Sequence, residues 1–265
     1  SGERAAVVRF TANIGFLFTE VPFADRFAAA RDAGFSGVEF AWPPIPPGEV
    51  RRAVAAAGVR VGQLNMPAGD LAVGERGYPN DPRRTDEWRE DFGAALRLAR
   101  DVDCPSINVL AGNALPDLSR DQQLGFLRHN LSWALKHRDG RTLLLEILNP
   151  VDTPDYLLTD AYAAISLLER VGDPGVKLQF DTYHLATIGE DVVAAFRRMA
   201  PMVGHVQVAD FPGRGAPGTG TIDFDAFLAA VEESGYRGCI GLEYVPNGST
   251  EESLEWLPPS ERAWR

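Results

Sequence analysis

The sequence is short of the residues that build disulfide frameworks and thiolate or imidazole metal sites: two Cys, four His and three Met among 265 residues. Cys104 and Cys239 lie far apart and share no metal-ligand spacing, so the expected setting is a reducing cytoplasm. No run approaches the roughly 18 apolar residues of a membrane span, which excludes a transmembrane helix. The N-terminus has no charged region followed by a long apolar stretch, so no secretory leader is expected. Basic residues are in deficit, 26 Lys and Arg against 37 Asp and Glu, and the net charge of −11 argues against nucleic acid as a partner. Glycine-rich phosphate loops of the dinucleotide or P-loop kind are also missing, and with them any support for a nucleotide cofactor.

What is present suits one globular domain. Hydrophobic residues make up 45% of the chain, enough for a sizeable core. A single (β/α)8 TIM barrel over residues 1–265 fits the length, since about 250 residues is typical of that fold. Strand-like runs recur at 7–14, 37–40, 61–66, 106–112, 142–148, 176–181, 203–210 and 239–245. Helix-like stretches alternate with them, as in 23–35, 86–102, 160–172 and 223–236. In the last, Phe224, Phe227, Leu228 and Val231 recur at helical spacing behind Asp223, a predicted N-cap. Gly34, Gly58 and Gly235 each close a helical run before a strand. Eight alternations predict a parallel, closed sheet. Two connections, 67–85 and 211–222, are long and rich in Gly and Pro, and both follow the strand ends where barrel active sites sit.

Four oxygen-bearing residues lie near the ends of the last four strands: Glu146, Asp181, Gln207 and Glu243. Side chains alternate along a strand, so Leu144, Gln179, His205 and Gly241 share their faces, while Leu145, Phe180, Val206 and Leu242 point the other way. The quartet is therefore predicted to aim into the barrel at one height. Unpaired carboxylates buried there would cost several kcal/mol, roughly, and a cation removes that cost. An all-oxygen donor set selects one hard divalent ion, Mg²⁺ or Mn²⁺.

Other candidates surround this centre. His184, just past the sixth strand, is placed to meet a substrate, and His205, deeper by two residues, either supports a ligand or contacts substrate. Arg214, in the loop at 211–222, offers a planar fork to a carboxylate. Asn65 and Asn108 are candidate pocket donors, Glu39 either lines the pocket or forms a salt bridge, and Trp42 is a candidate apolar wall. His129 and His137 fall on a helix and read as surface or packing residues.

Several long motifs, in order, resemble the hydroxypyruvate isomerase family of xylose-isomerase-like TIM barrels. They are FLFTEVPFADRFAAARDAGFSGVEF, NMPAGD, FDTYH, GHVQVADFPGR, PGTG and GLEYVP. The resemblance runs from Thr11 to Leu257. It implies that Glu146, Asp181, Gln207 and Glu243 hold one divalent metal, that Glu146 and Glu243 are the acid/base pair, and that His184 and Arg214 contact substrate. Related ketose 3-epimerases carry His at the position of Gln207. After PGR the family pattern is His-Glu-Pro, where this chain reads Gly215-Ala216-Pro217, and Thr221 stands where an acid is expected. The implied reaction interconverts hydroxypyruvate and 2-hydroxy-3-oxopropanoate (tartronate semialdehyde) through an enediolate. The altered loop keeps open another sugar or sugar-acid isomerase or epimerase of the 2-oxo-tetronate or ketose type. A non-catalytic metabolite-binding barrel is a third reading, and a multi-zinc endonuclease is disfavoured by the scarcity of histidine. Members of this family associate, so a homo-oligomer is expected.

Overall fold

The fold is taken from a computed structural model, which describes residues 8–264. Eight parallel strands close into a barrel in sequence order: β1 (Arg9–Asn13), β2 (Gly37–Phe40), β3 (Arg60–Asn65), β4 (Ser106–Val109), β5 (Thr142–Glu146), β6 (Val176–Asp181), β7 (Val203–Val208) and β8 (Cys239–Leu242). The first predicted strand began at Val7, which lies outside the described residues. Several strands stop earlier than the apolar runs suggested. β4 ends at Val109, for example, and Gly112, within the predicted run, turns at φ 98° close to Asn80.

Helices cover the outside: α1 (Arg26–Asp32), α2 (Pro47–Ala57), α3 (Thr85–Asp101), α4 (Arg120–His137), α5 (Ala161–Val171), α6 (Thr182–Thr187), α7 (Val192–Met199) and α8 (Phe224–Glu233), then the short α9 (Thr250–Ser253) and α10 (Pro259–Arg262). Their starts follow local chemistry. Ser119 and Gln122 form a reciprocal capping box on α4, and Asp223 caps α8 by accepting from the Ala226 amide at 3.0 Å. Outward strand residues meet the helices in a continuous apolar layer, as where Phe180 on β6 packs 5.3 Å from Phe196 of α7 and 5.9 Å from Phe227 of α8.

The inner face is polar at mid-height because the register aligns polar residues there. Asn13 stands beside Glu39, Glu146 beside Gln179, Asp181 beside Gln207, and Gln179 beside His205. Two strand pairs reach their polar register through bulges. Between β2 and β3 the register skips Gly62, and between β6 and β7 it skips Gly204. A Cβ at Gly62 would come within 2.9 Å of Thr11 Cγ2, and one at Gly204 within 2.9 Å of Leu144 Cδ2, so each bulge is built around the missing side chain. No helix among the described residues is long and apolar enough to cross a membrane.

Candidate metal and acid–base site

Asp181 ends β6 and caps α6 at once. Its Oδ1 accepts from the backbone N–H of Tyr183 at 2.8 Å and of His184 at 3.2 Å, which fixes the carboxylate in one orientation. The second oxygen, Oδ2, is buried and has no hydrogen-bond partner, with Arg214 Nη2 3.8 Å away. Glu146, at the end of β5, accepts from Asn108 Nδ2 at 2.8 Å and Gln179 Nε2 at 3.1 Å, both on Oε2. Its Oε1 faces the centre. Glu243 lies one residue past β8, half-buried, and accepts from Asn13, Gln207 and Arg214 at 3.0, 2.8 and 2.6 Å.

Crowding in this mouth raises the proton affinity of Glu146 and Glu243. Burial, then repulsion from Asp181, pushes Glu146 up to about 8. Glu243 is also raised well above the usual carboxylate range, by burial, against the counter-pull of Arg214. A divalent cation among them would remove this frustration, and the free Oδ2 of Asp181 is an oxygen with nothing else to bind. The donor set fits a hard metal ion.

His184 joins the same cluster: ligand atoms of Glu146, Asp181 and His184 all lie within 4.8 Å of one another. Its tautomer is set from behind. The backbone N–H of Asn149 donates to Nδ1 at 3.2 Å, and the Asn149 side-chain amide sits 2.8 Å from the same nitrogen. Nδ1 is therefore an acceptor, and the ring proton belongs on Nε2, 3.9 Å from Glu146 Oε1. Burial pulls His184 down to about 4, so the ring is neutral near pH 7. It presents a donor to the site rather than a lone pair.

Gln207 is fully engaged. Its amide nitrogen donates to Glu39 Oε1 at 2.7 Å and Glu243 Oε2 at 2.8 Å, and its oxygen accepts from Gln179 at 2.8 Å. Beneath it, Glu39 is wholly buried and bonds His205 Nε2 at 2.7 Å and Thr11 at 2.8 Å. Burial alone would raise Glu39, but His205 and the surrounding donors hold it below the usual carboxylate value. His205 thus serves Glu39, one layer under the carboxylate cluster. Of the two expectations for Glu39, the partnered one holds: it is bonded to His205 beneath the mouth.

Arg214 reaches in from the loop after β7, its guanidinium lying 4.9 Å from the ring centre of Phe16 and 5.0 Å from that of Tyr183. Its Nε is buried without a partner. Asn65 is half-buried at the end of β3, where its oxygen accepts from Gln63 at 2.6 Å. Trp42 packs partly buried against the core, and His129 and His137 are exposed on α4, His137 stacked on Trp133 at 4.2 Å. Sequence reading passed over Asn13 and Asn149. The first carried a signal, a polar residue at a strand end on the same face as Thr11; the second, in a loop, carried none.

A closed parallel barrel with clustered carboxylates at the C-terminal ends of its strands is the architecture of a metal-assisted TIM-barrel enzyme. Comparison with known proteins narrows this. Residues 27–260 match the xylose isomerase-like TIM barrel family. The chain is 37% identical to hydroxypyruvate isomerase of Escherichia coli K12, over 96% of this chain and 99% of that one. It is 33% identical to 2-oxo-tetronate isomerase of Pectobacterium atrosepticum, over 95% and 97%. A Brucella melitensis structure described as a family 2 AP endonuclease superposes with a TM-score of 0.91 at 34% identity, covering 95% of this chain and 98% of that one. The chain belongs to the xylose-isomerase-like TIM-barrel family and is closely related to the hydroxypyruvate and 2-oxo-tetronate isomerases. It is an isomerase-type barrel with a candidate divalent-metal site, in which Glu146 and Asp181 offer oxygens and His184 stands beside them as a hydrogen-bond donor.

Proposed function

We propose that this protein is a metal-dependent isomerase that interconverts hydroxypyruvate and 2-hydroxy-3-oxopropanoate. The observation that carries the reading is the placement of Arg214, whose Nη2 bonds Glu243 while its Nε stays buried and unpartnered beside two proton-loving carboxylates. That is a seat for a small carboxylate next to groups able to move a proton.

Glu146, Asp181 and Glu243 would hold Mg²⁺ or Mn²⁺, with Gln207 joining once its amide turns over. When bound, such an ion supplies Lewis acidity that stabilises negative charge on adjacent carbonyl and hydroxyl oxygens. Arg214 holds the substrate carboxylate. One of Glu146 and Glu243 takes the proton from the hydroxymethyl carbon, leaving an enediolate, and the other, or the same residue, returns a proton to the neighbouring carbon. His184 donates its Nε2 proton to a substrate oxygen and helps transfer the hydroxyl proton, so that atoms balance without a redox cofactor. Asn65 lies at the rim of the same mouth, and His205 acts from below by bonding Glu39.

A second reading keeps the centre and lengthens the substrate. The loop beyond Arg214 reads Gly215-Ala216-Pro217-Gly218, with little side-chain bulk, and relatives 33% identical to this chain are 2-oxo-tetronate isomerases. A four-carbon sugar acid would present the same carboxylate and α-hydroxycarbonyl group. The deciding experiment is an isomerase assay with Mg²⁺ or Mn²⁺, hydroxypyruvate against 2-oxo-tetronate, with EDTA as control. EDTA-sensitive turnover of hydroxypyruvate as the better substrate supports the proposal. Preference for the four-carbon acid supports the second reading, and turnover of neither overturns both.

A further inference from the structure

The loop that carries Arg214 has few side chains to hold its shape: Thr219 Oγ1 donates to Ala216 O at 2.6 Å, and Thr221 donates to Phe211 O from its N–H at 2.7 Å and its hydroxyl at 2.9 Å. From Gly213 to Thr221 it contains four glycines, and Arg214 is its one charged side chain. Arg214 itself sits at φ 57°, a left-handed backbone that a non-glycine residue keeps only when its surroundings enforce it. The largest single set of bonds closing the loop converges on one carboxylate at its base.

We propose that Asp210 is the positioning residue that sets Arg214 over the carboxylate cluster. Its side chain is completely buried, and both oxygens are spent on loop amides. Oδ1 accepts from the backbone N–H of Phe211 at 2.8 Å and of Ile222 at 3.0 Å. Oδ2 accepts from Gly218 at 2.8 Å and Gly220 at 2.9 Å. The four amides come from both ends of the loop, so a single anion gathers the segment into a closed ring. The Asp210 backbone adds a bond from its N–H to Gly215 O at 2.8 Å, and the Val245 amide ties Arg214 O to the chain after β8 at 2.8 Å. The arrangement is close-packed: a Cβ at Gly220 would come within 2.3 Å of Phe211 O and 2.6 Å of Asp210 Oδ1.

Convergent N–H groups around a buried anion are the geometry by which proteins bind phosphate or carboxylate ligands. Here the ligand is the chain's own side chain. The consequence for specificity is direct: with its other side chains short and uncharged, the loop presents one cation to the substrate, at a point Asp210 dictates.

This inference rests on the proposed role of Arg214, and its test separates the two. In Asp210→Asn an amide NH₂ replaces one oxygen and faces two N–H groups that need an acceptor. The amides of Phe211, Gly218, Gly220 and Ile222 should then exchange hydrogen roughly tenfold faster or more, while strand amides and the melting temperature stay near wild type. kcat/KM for hydroxypyruvate should fall roughly tenfold to a hundredfold, mostly through KM. In an Arg214→Met background the same Asp210→Asn change should cost less than about twofold further. Gly220→Ala, which crowds the ring from the loop side, should reproduce both effects if Asp210→Asn does not fold. Unchanged exchange at the four amides in a folded variant overturns the proposal. So does a full Asp210→Asn penalty in the Arg214→Met background. If the wild type turns over neither acid, the functional reading fails while the exchange measurement still decides whether Asp210 holds the loop.

Discussion

Arg214 Nη2 lies 2.6 Å from Glu243 Oε1, so the group placed to hold a substrate's carboxylate already holds a side chain proposed to move its proton. Binding and chemistry are coupled through one guanidinium. Arg214→Met removes both halves of the fork and leaves Glu243 without its cation. Truncating one member of such a half-buried charge pair costs about 2 kcal/mol, which is roughly thirtyfold in kcat/KM. Steady-state kinetics should show most of it as raised KM, and an unchanged KM would remove Arg214 from substrate binding.

Glu146→Gln and Glu243→Gln keep the shape of each side chain and delete its basicity. Each is expected to lower kcat by about 100- to 10,000-fold, the usual contribution of a positioned acid or base. Calorimetric titration with Mn²⁺ should still show one bound ion in each variant, weakened but present. A variant with near-normal kcat would lose its place in the proton transfer.

His205 bonds Glu39 at 2.7 Å inside the barrel, where neither meets water. Removing the imidazole leaves a buried carboxylate short of its main partner. His205→Ala should therefore destabilise the fold by about 3–5 kcal/mol in urea, whereas the double variant His205→Ala with Glu39→Gln should recover part of that loss. Equal stability of the single and double variants would show that the pair is not coupled.

Burial pushes the thiols of Cys104 and Cys239 up to about 12. At pH 8 only about one thiol in ten thousand is then ionised, and the thiolate is the reactive form. Iodoacetamide should leave both cysteines unmodified in the folded protein and label both in urea, read by mass spectrometry. The raised values also set a sign for stability: it is retained below the ordinary thiol value of 9.0 and lost as pH rises from there towards about 12, because the unfolded chain ionises first.

The barrel was legible because its strand–helix alternation repeats eight times, and the faces of Glu146, Asp181 and Gln207 followed from counting by twos along single strands. Glu39 and His205 were each visible as polar strand residues, but not as partners. They are 166 residues apart in sequence and meet only across the closed interior. Likewise the amide ladder from Gln63 through Gln179 to Gln207 needs β3 to face β6 and β7 across the barrel before it can form. The tautomer of His184 was invisible for another reason: Asn149, which sets it, lies in a loop without periodicity.

The glycines at the two bulges have a bearing on how this barrel could be altered. Arg60 and Gln63 both lie on the inner face though they are an odd three positions apart, since Arg60 stands beside Gly37 and Gln63 beside Glu39. Each bulge is a half-step of phase, and β3 and β7 read inward on opposite parities above and below it. Inserting or deleting one residue below Gly62 or Gly204 could be absorbed by reshaping the bulge, leaving the polar layer in place. The same change above either glycine would turn Asn65 or Gln207 outward into the apolar layer. The strand halves nearest the carboxylate mouth are therefore the ones whose length cannot drift.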